Sequence, residues 1–433
     1  MLMRAFYTLL WCMVLPWLPL RLWWRGRREP GYRAHVGERF GRYDACGPAP
    51  GTDIVWIHAV SLGETRAAAP LVARIARELP QATILLTHMT ATGRDAGRAL
   101  YGDGVVQAWL PYDLPFAVRG FLTRFAPRAG LLMETEVWPN LTAACAATGV
   151  PLFLVNARLS DRSLAGYRRF AALTRPMFAA LAGVAAQTAA DAGRLTHAGA
   201  REVTVTGNLK FDVEIAASVM GQGRAMRARF GAGRPVWLAG STRDGEEALL
   251  LDALQRVRQP PRTLAVIVPR HPQRFDEVAG LLDARGIAFV RRSAGTAVPD
   301  DVGVVLGDTL GELTTYYAAA DVAFVGGSLL PLGGQNLIEA IAVGTPTIVG
   351  PHTFNFADAT AEAVAAQAAL RALDADALLA LVTALLEDPD RRARMREAAL
   401  AFHAAHRGAA DRLWRWLAPR IRRPQDPGQC GAT

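Results

Sequence analysis

The chain has 433 residues and a formal net charge of +9, and 51% of its residues are hydrophobic while 20% are charged. This length allows two domains with full cores, and the composition excludes an intrinsically disordered chain. The four cysteines form no CxxC pair, which excludes a zinc ribbon or a disulfide framework, and without an RNP-like motif we expect no nucleic-acid partner. The excess of positive charge instead favours acidic partners such as nucleotides and phospholipid surfaces.

The first 28 residues have the pattern of a membrane anchor. Ala5–Leu20 are almost wholly apolar, and four arginines follow between positions 21 and 28. A secretory signal carries its positive charge first and ends in a small-residue cleavage site, and neither holds here. By the positive-inside rule, the arginine-rich flank and the rest of the chain stay on the cytoplasmic side. We therefore predict an anchor at residues 1–28 that either spans the bilayer or lies in its interface.

From Asp53 onward, short apolar strands alternate with helical stretches, a pattern typical of parallel α/β sheets. A polar, glycine-rich gap at 207–234 separates two series of strands and indicates an interdomain connection. The predicted strands are Ile54–His58, Thr83–Thr87, Ala129–Met133, Leu152–Asn156, Gly183–Gln187, Val203–Thr206, Val236–Ala239, Thr263–Val268, Ala288–Val290, Val302–Leu306, Val322–Val325 and Thr347–Val349.

These elements predict two doubly wound, Rossmann-like domains at 29–212 and 213–418, facing a cleft. In such sheets ligands bind at the carboxyl ends of the strands. A last helix over Arg391–Leu417 is expected to stop at Pro419, with a disordered tail at 419–433.

Glu64 follows the first strand within the sequence Ser61-Leu62-Gly63-Glu64. Ser61-x-x-Glu64 is a capping box, in which the glutamate satisfies backbone N–H groups at a helix start. The functional alternative is that the Glu64 carboxylate points into the cleft and acts as a general base. Both interpretations stay open at this point.

Other polar residues follow the later strands of the first domain. Two carboxylates spaced i, i+2 point the same way if the segment stays extended, so one or both can face the cleft. Asn140 can line an acceptor sugar, or it can serve only a helix start that has Pro139 at its first position. Lys210 is the only lysine in the chain. The residues assigned to acceptor or sugar binding are Glu134, Glu136, Asn140, Arg158, Ser160 and Lys210.

The segment Asp321–Pro351 combines an apolar strand, a glycine-rich loop and a helix. Small residues before a helix let backbone N–H groups and the helix dipole approach a phosphate. A carboxylate one turn into the helix can accept hydrogen bonds from ribose hydroxyls. The pattern predicts a nucleotide site, and a nucleotide-sugar site in particular. The residues assigned to it are Gly327, Ser328, Gly334, Asn336 and Glu339.

Two further strand ends of the second domain carry residues suited to a phosphate. Gly240, Ser241 and Thr242 follow its first strand and precede a predicted helix N-terminus, and Arg270 and His271 follow its second strand. There is no Walker A motif, no GxGxxG after a strand and no Asp-x-Asp triplet at a strand end. We therefore expect neither NTP hydrolysis nor NAD chemistry nor a bound metal. Helix dipoles with arginine or lysine side chains then have to stabilise a leaving phosphate.

Eight motifs in order resemble the 3-deoxy-D-manno-octulosonic acid (Kdo) transferase family. They are HAVSLGE at His58–Glu64, ETEVWPN at Glu134–Asn140, NARLSDRS at Asn156–Ser163, GNLKFD at Gly207–Asp212, GSTRDGEE at Gly240–Glu247, PRHPQRF at Pro269–Phe275, GGQNLIEA at Gly333–Ala340 and GPHTFNF at Gly350–Phe356. Gln335 stands where relatives often have histidine, so we assign it no acid–base role.

The resemblance implies an inverting, metal-independent GT-B glycosyltransferase of lipopolysaccharide biosynthesis without a cofactor. It implies CMP-Kdo as the donor, lipid IVA as the acceptor and Glu64 as the general base. It also implies that the anchor lies in the inner membrane, with the catalytic domains on its cytoplasmic face. Lys210 or Arg158 would hold the Kdo carboxylate.

Three alternatives remain. The first is a GT-B transferase that uses a UDP-sugar on another lipid acceptor, and the second is a nucleotide-sugar epimerase, which needs neither a lipid acceptor nor an anchor. The third is a sugar-nucleotide binding protein without enzymatic activity.

Overall fold

The computed structural model describes residues 2–27, 29–43, 47–49, 51–212, 215–231, 233–423 and 426. The chain divides into two compact units. Unit 1 comprises Met1–Asp212 together with Arg407–Thr433, and unit 2 comprises Val213–His406.

The described residues form short strands and helices in regular alternation. The strands are β1 (Ile54–His58), β2 (Thr83–His88), β3 (Val106–Trp109), β4 (Ala129–Met133), β5 (Leu152–Ala157), β6 (Gly183–Ala186), β7 (Val203–Val205), β8 (Val236–Thr242), β9 (Leu264–Pro269), β10 (Phe289–Arg291), β11 (Val304–Leu306), β12 (Val322–Val325), β13 (Thr347–Val349) and β14 (Ala369–Arg371). The helices are α1 (Leu2–Val14), α2 (Leu18–Arg25), α3 (Leu62–Ala67), α4 (Ala69–Glu78), α5 (Ala91–Tyr101), α6 (Pro115–Phe125), α7 (Pro139–Thr148), α8 (Asp161–Arg169), α9 (Ala171–Ala179), α10 (Ala189–Ala198), α11 (Ala217–Phe230), α12 (Glu246–Arg256), α13 (Phe275–Ala284), α14 (Leu313–Ala319), α15 (Ile338–Ala342), α16 (Ala357–Ala365), α17 (Ala375–Glu387), α18 (Pro389–His406) and α19 (Ala409–Ile421).

Each unit contains one seven-stranded sheet, in the order β3-β2-β1-β4-β5-β6-β7 for unit 1 and β10-β11-β9-β8-β12-β13-β14 for unit 2. The strand pairs are parallel. The chain reverses its direction across the sheet between β1 and β4 in unit 1, and between β8 and β12 in unit 2. These are the switch points at which doubly wound sheets bind ligands. The predicted fold class, two parallel-sheet α/β domains, is confirmed.

Two strands were missing from the sequence prediction. Both β3 and β14 lie at the edge of their sheets, where only one neighbour pairs with them. Edge strands are short and half exposed, so they lack the continuous apolar run that marks a central parallel strand. Central β1, by contrast, is buried along its whole length. Its Trp56 packs into one apolar cluster, and Val55 and Ile57 pack into another on the opposite face of the sheet.

The last helix corrects the domain boundaries drawn from the sequence. Instead of one helix that stops at Pro419, α18 ends at His406 and α19 runs to Ile421 as part of unit 1. Leu413, Trp414 and Leu417 of α19 are buried with the apolar residues of β1 and α4. Burial of this face outweighs the roughly 3 kcal/mol that a proline costs inside a helix.

An ion network holds the end of α19 to unit 1. The Arg128 guanidinium donates to the Ile421 carbonyl oxygen at 2.6 Å and to Asp53 Oδ2 at 2.5 Å, and it also contacts the Asp426 carboxylate. The Arg128 and Asp426 side chains are both buried. Residues up to Ile421 and Asp426 are therefore ordered parts of unit 1, contrary to a disordered tail from 419. The predicted disorder of 427–433 lies outside the described residues.

The predicted anchor forms α1 and α2, joined by a 3-10 turn at Leu15–Trp17 that contains Pro16. Leu2–Arg25 is long and apolar enough to cross a membrane, by length and composition only. One stripe of this segment contacts unit 1: Thr8 bonds to Asn140, the Trp11 ring lies 5.8 Å from the Tyr112 ring, and Leu18 and Leu22 are buried. The opposite stripe is exposed. Its large apolar residues are Leu2, Phe6, Leu9, Leu10, Met13, Val14, Trp17, Leu20, Trp23 and Trp24.

We expect Leu417→Ala to lower the free energy of unfolding of unit 1 by about 2–5 kcal/mol, because it leaves a cavity in a fully buried site. Urea unfolding followed by hydrogen exchange of β1 and β8 peptides measures the effect on each unit. The control Leu373→Ala, at a residue that is 76% exposed in unit 2, is expected to change stability by less than about 0.5 kcal/mol. Faster exchange in β8 rather than β1 in the Leu417 variant would contradict the assignment of α19 to unit 1.

Candidate active site

The loops after β1 and β4 meet at the switch point of unit 1 and carry its candidate catalytic carboxylates. Ser61 caps α3 by accepting a hydrogen bond from the Glu64 N–H. The Glu64 carboxylate folds back and accepts from the Val60 N–H at 2.9 Å and from the Ser61 hydroxyl at 3.0 Å. The capped helix α3 ends at Ala67. Pro70 lies in the first turn of the next helix, α4, where a proline is tolerated.

The surroundings of Glu64 raise the pKa of its carboxyl group. Burial and the negative charge of Glu134 raise the pKa of Glu64 to about 7, with a smaller increase from Glu136, while the bonds from Val60 and Ser61 oppose the rise. A carboxyl group that titrates near neutral pH can both accept and return a proton. The capping and catalytic interpretations of Glu64 are therefore compatible.

The pKa of Glu134 is shifted in the opposite direction from that of Glu64. Although burial alone raises its pKa, the charges of Lys210 and Arg158 lower the pKa of Glu134 below its ordinary value. Lys210 Nζ lies 2.7 Å from Glu134 Oε1, and Arg158 Nε lies 2.9 Å from Glu134 Oε2. Glu134 also has a left-handed backbone, with φ of +59°. The loop thus presents a fixed anion next to a protonatable carboxyl, an arrangement that separates the roles of two acidic groups.

The other residues predicted for this site have different surroundings. Burial raises the pKa of Glu136. Asn140 Nδ2 donates to the Asp113 carbonyl oxygen at 2.7 Å and to Thr8 Oγ1 at 3.0 Å, at the start of α7. Ser160 caps α8 by accepting from the Ser163 N–H at 3.2 Å. The contacts of Asn140 and Ser160 are those of helix starts, the alternative that the sequence left open for Asn140.

A buried histidine beneath the Glu64 loop was missed in the sequence. His88, at the end of β2, lies with Nδ1 2.9 Å from the Ala59 carbonyl oxygen and 3.4 Å from Thr65 Oγ1. Thr65 in turn donates to the Ser61 carbonyl oxygen at 2.9 Å. Burial lowers the pKa of His88 to about 4, so the ring is neutral and supports the loop through hydrogen bonds alone. Its place at the end of the strand next to β1 was the available signal.

In unit 2, the structure differs from the predicted phosphate site at the first strand end. Gly240, Ser241 and Thr242 belong to β8, and α12 begins only at Glu246. The register of β8 against β9 shifts between Gly240 and Thr242, and Ser241 has φ of +55° at this irregularity. The helix predicted to follow these residues begins at Glu246, but Gly240, Ser241 and Thr242 continue the strand with a bulge instead of following it, and their role at a phosphate stays a prediction.

The glycine-rich loop after β12 is also arranged differently from the prediction. The backbone N–H groups of Gly327, Ser328 and Leu329 donate to the buried Glu246 carboxylate at 2.6–2.9 Å. The phosphate cradle predicted at Gly327 and Ser328 is thus occupied by a carboxylate of the protein itself. Sequence reasoning missed this role of Glu246 because its partners in the glycine-rich loop lie 81 to 83 positions away.

In the segment that follows the loop, the Asn336 side chain is hydrogen-bonded to the start of α15. Asn336 Oδ1 accepts from the Ile338 N–H at 3.1 Å, and its Nδ2 donates to Glu339 Oε1 at 3.1 Å. The Gly334 N–H donates to the Gly327 carbonyl oxygen at 2.6 Å. Helix α15 has only five residues, so its dipole is a weak source of phosphate binding.

Cationic groups gather instead at the ends of β8 and β9. Burial and the nearby charges of Arg243, Arg270 and Arg274 lower the pKa of His271. Arg274 is buried and pairs with Asp244, Glu247 and Glu277, so Arg243 and Arg270 are the cations at these strand ends that suit an anion. Among the residues that the structure describes, no group of three histidine, cysteine, aspartate or glutamate side chains is placed to hold a metal ion.

We expect Glu134→Gln to lower the pKa of Glu64 from about 7 towards its ordinary value, because the neighbouring negative charge is removed while Lys210 and Arg158 remain. Proton uptake measured against a Glu64→Gln reference in each background isolates this group. The control Glu136→Gln should shift the Glu64 titration less, since Glu136 makes the smallest contribution. An unchanged titration in Glu134→Gln would disprove the coupling.

Comparisons with known proteins agree with this architecture. The family described as 3-deoxy-D-manno-octulosonic-acid transferase (kdotransferase) matches residues 34–213, and glycosyl transferases group 1 matches residues 249–402. A 3-deoxy-D-manno-octulosonic acid transferase of Bordetella pertussis is 52% identical over 430 residues, covering 96% of this chain and 99% of that protein. One from Haemophilus influenzae is 36% identical, covering 97% and 99%.

Among solved structures, UDP-GlcNAc 2-epimerase from Neisseria meningitidis bound to UDP-GlcNAc gives a TM-score of 0.57 at 16% identity, covering 85% of this chain and all of that one. Alr3699/HepE from Anabaena in complex with UDP gives 0.56 at 15% identity, covering 85% and 99%. At such identity these structures show the fold alone. The two transferase relatives, in contrast, match nearly the whole chain, and the chain therefore belongs to the Kdo transferase family of glycosyltransferases.

Proposed function

We propose that the protein transfers Kdo from CMP-Kdo to lipid IVA in lipopolysaccharide biosynthesis, with inversion at the anomeric carbon and without a metal ion. The observation that carries the proposal is the carboxylate pair at the switch point of unit 1, in which Glu64 titrates near neutrality beside the fixed anion Glu134. The name of the 52% identical relative supports Kdo as the sugar.

In this mechanism Glu64 removes the proton from the acceptor hydroxyl, and the oxygen attacks the anomeric carbon of Kdo. The bond from that carbon to the phosphate oxygen breaks, and CMP leaves with the electron pair. Attack on the face opposite the leaving group inverts the configuration. Since Glu64 acts as the ionised carboxylate, kcat/KM should rise with pH through its pKa of about 7.

The cations of both units have roles in this scheme. Arg243 and Arg270 at the strand ends of unit 2 stabilise the charge that develops on the CMP phosphate. Glu339, bonded to Asn336, accepts hydrogen bonds from the ribose. Lys210 or Arg158, which both bond to Glu134, holds the Kdo carboxylate.

A lipid acceptor fits the surface of unit 1. The exposed stripe of α1 and α2 is apolar and includes three tryptophans, a residue enriched at membrane interfaces. A cavity of about 1040 Å³ lies beside α1, between α6 and α7. Its walls combine Arg4 and Arg119 with small apolar residues of α7, as a phosphorylated lipid requires.

The test is incubation of the purified full-length protein with CMP-Kdo and lipid IVA, followed by mass spectrometry of the lipid. We expect the lipid to gain the mass of Kdo, and Glu64→Gln to lose about 10²–10⁴-fold in rate while still binding CMP. The control Glu202→Gln, at an exposed residue, should keep full activity. It changes one carboxylate to an amide, as the test variant does.

The alternatives give different products. Transfer from UDP-GlcNAc with no reaction of CMP-Kdo would favour a UDP-sugar transferase, and conversion of a UDP-sugar without a lipid would favour an epimerase. Full transfer by Glu64→Gln would remove Glu64 from the base role. Nucleotide binding without turnover of either donor would leave only a binding protein.

We further propose that α1 and α2 lie in the interface of the inner membrane, with both units on the cytoplasmic side. A helix that crossed the bilayer would lose the contacts of Thr8, Trp11 and Leu18 with unit 1. We expect Leu9→Glu with Met13→Glu to weaken binding to anionic vesicles in flotation assays, because both side chains are exposed and apolar. Leu249→Glu, at an exposed site of α12, is the control and should bind as the unchanged protein does.

The spanning alternative has its own signature. If Leu2–Arg25 crosses the bilayer, a cysteine placed at Leu2 reacts with an impermeant maleimide from the periplasmic side only, in a background in which Cys12, Cys46 and Cys430 are replaced by serine and the buried Cys145 is kept. Reaction from the cytoplasmic side of inverted vesicles supports the interfacial arrangement.

A further inference from the structure

Glu246 is the first residue of α12 and is completely buried. Its carboxylate accepts hydrogen bonds from four backbone N–H groups. Oε1 accepts from Ser328 and Leu329 at 2.9 Å, and Oε2 accepts from Gly327 at 2.6 Å and from Arg243 at 2.8 Å. A carboxylate has about four positions at which it readily accepts a hydrogen bond, and here backbone N–H groups of two loops occupy all of them.

The loop after β12 is shaped around this carboxylate. Three successive N–H groups that converge on one anion form a nest, and the N-terminus of α12 adds its dipole. Gly327 has φ of +68°, which lets consecutive N–H groups point inward. At Gly326 a Cβ atom would lie 2.6 Å from the Ser241 carbonyl oxygen, so only glycine fits where this loop crosses β8.

Backbone hydrogen bonds connect this loop to the residues assigned to the nucleotide. The Gly326 and Gly327 carbonyl oxygens accept from the Gln335 and Gly334 N–H groups at 2.9 and 2.6 Å. On the other side, the bond from the Arg243 N–H fixes the start of the segment that carries its guanidinium. Glu246 therefore determines where two separate parts of the nucleotide surface lie relative to each other.

We infer that Glu246 is a positioning residue of the donor site: it serves as the internal anion of the Gly327–Leu329 nest and thereby places Arg243 and Gly334–Asn336 against the nucleotide. The phosphate of the donor binds to the arginine side chains and not to this nest. The inference rests on the proposed function for the identity of the nucleotide, but not for the geometry.

The competing arrangement is that Glu246 withdraws when the donor arrives and the phosphate enters the nest. The two arrangements predict opposite changes in nucleotide affinity when the carboxylate is removed. If the carboxylate organises the site, its removal weakens nucleotide binding. If it competes with the phosphate, its removal strengthens nucleotide binding.

The test compares Glu246→Gln and Glu246→Ala with Glu312→Gln in calorimetric titrations of the full-length protein with CMP. The amide of glutamine turns a donor towards one pair of N–H groups, so we expect CMP binding to weaken by about tenfold or more. The Glu312 carboxylate bonds to Arg292 and Thr309 and not to the loop, so Glu312→Gln should bind CMP within about threefold of the unchanged protein. Glu247 is as buried as Glu246, but its carboxylate accepts from Thr242 and pairs with Arg274, so Glu247→Gln serves as the control for hydrogen exchange of the loop.

Tighter binding of CMP, or of inorganic phosphate, by Glu246→Ala overturns the inference. So does CMP affinity that stays within about twofold in both Glu246 variants. Titration with UDP in parallel separates the inference from the proposed function: if UDP binds and CMP does not, the proposed donor fails, and the effect of Glu246 is measured on UDP.

Two further measurements separate positioning from a general loss of structure. Steady-state kinetics should show a higher KM for the donor, with the KM for the acceptor unchanged. Hydrogen exchange should become faster at Gly327–Leu329 in Glu246→Gln and not in Glu247→Gln. If the Glu246 variants do not fold, Gly327→Ala strains the same loop at its positive φ and is expected to raise the donor KM as well; an unchanged KM there contradicts the inference.

Discussion

The candidate site of unit 1 depends on the buried anion Glu134, which Lys210 and Arg158 hold in place and whose charge acts on Glu64. Two cations within 2.9 Å keep it ionised in a site from which water is largely excluded. Burial is the larger cause of the raised pKa of Glu64, and the fixed charge of Glu134 adds to it, so that the pKa reaches about 7. Lysine suits the Oε1 contact because its ammonium is a compact point charge, while the planar guanidinium of Arg158 takes Oε2 from the side. This gives the single lysine of the chain a definite place.

Two glutamates near helix starts differ in how many hydrogen bonds their carboxylates accept from the protein. Glu64 accepts one backbone N–H and one hydroxyl. Glu246 accepts four backbone N–H groups and has no capacity left for a ligand. Both lie at a switch point of their sheets, where the chain leaves adjacent strands in opposite directions and opens room for loops. The same topology thus places a carboxyl group of raised pKa in one unit and a carboxylate with four backbone hydrogen bonds in the other.

Much of the fold could be predicted because buried parallel strands form continuous apolar runs. β1, β4 and β12 were predicted with the bounds that the structure has. Edge strands β3 and β14 were missed because exposure on one side interrupts that run. In the site, the capping box of Glu64 was visible as a local spacing, whereas the bulge at Ser241 and the end of α18 at His406 were not, since each depends on packing against distant residues.

The sequence by itself determined the two-domain parallel-sheet architecture and the positions of the polar segments after the strands, because these depend on periodicity and on short spacings along the chain. The same segments carry the motifs that resemble the family. Only the tertiary structure decided which charges meet. Lys210 pairs with Glu134, 76 positions away in the sequence. The Gly327 N–H bonds to Glu246 over a separation of 81 positions, and Asp426 pairs with Arg128 over 298 positions. Local propensities do not encode such pairings, because they arise when the folded sheets bring remote loops to one edge and burial makes an unpaired charge unfavourable.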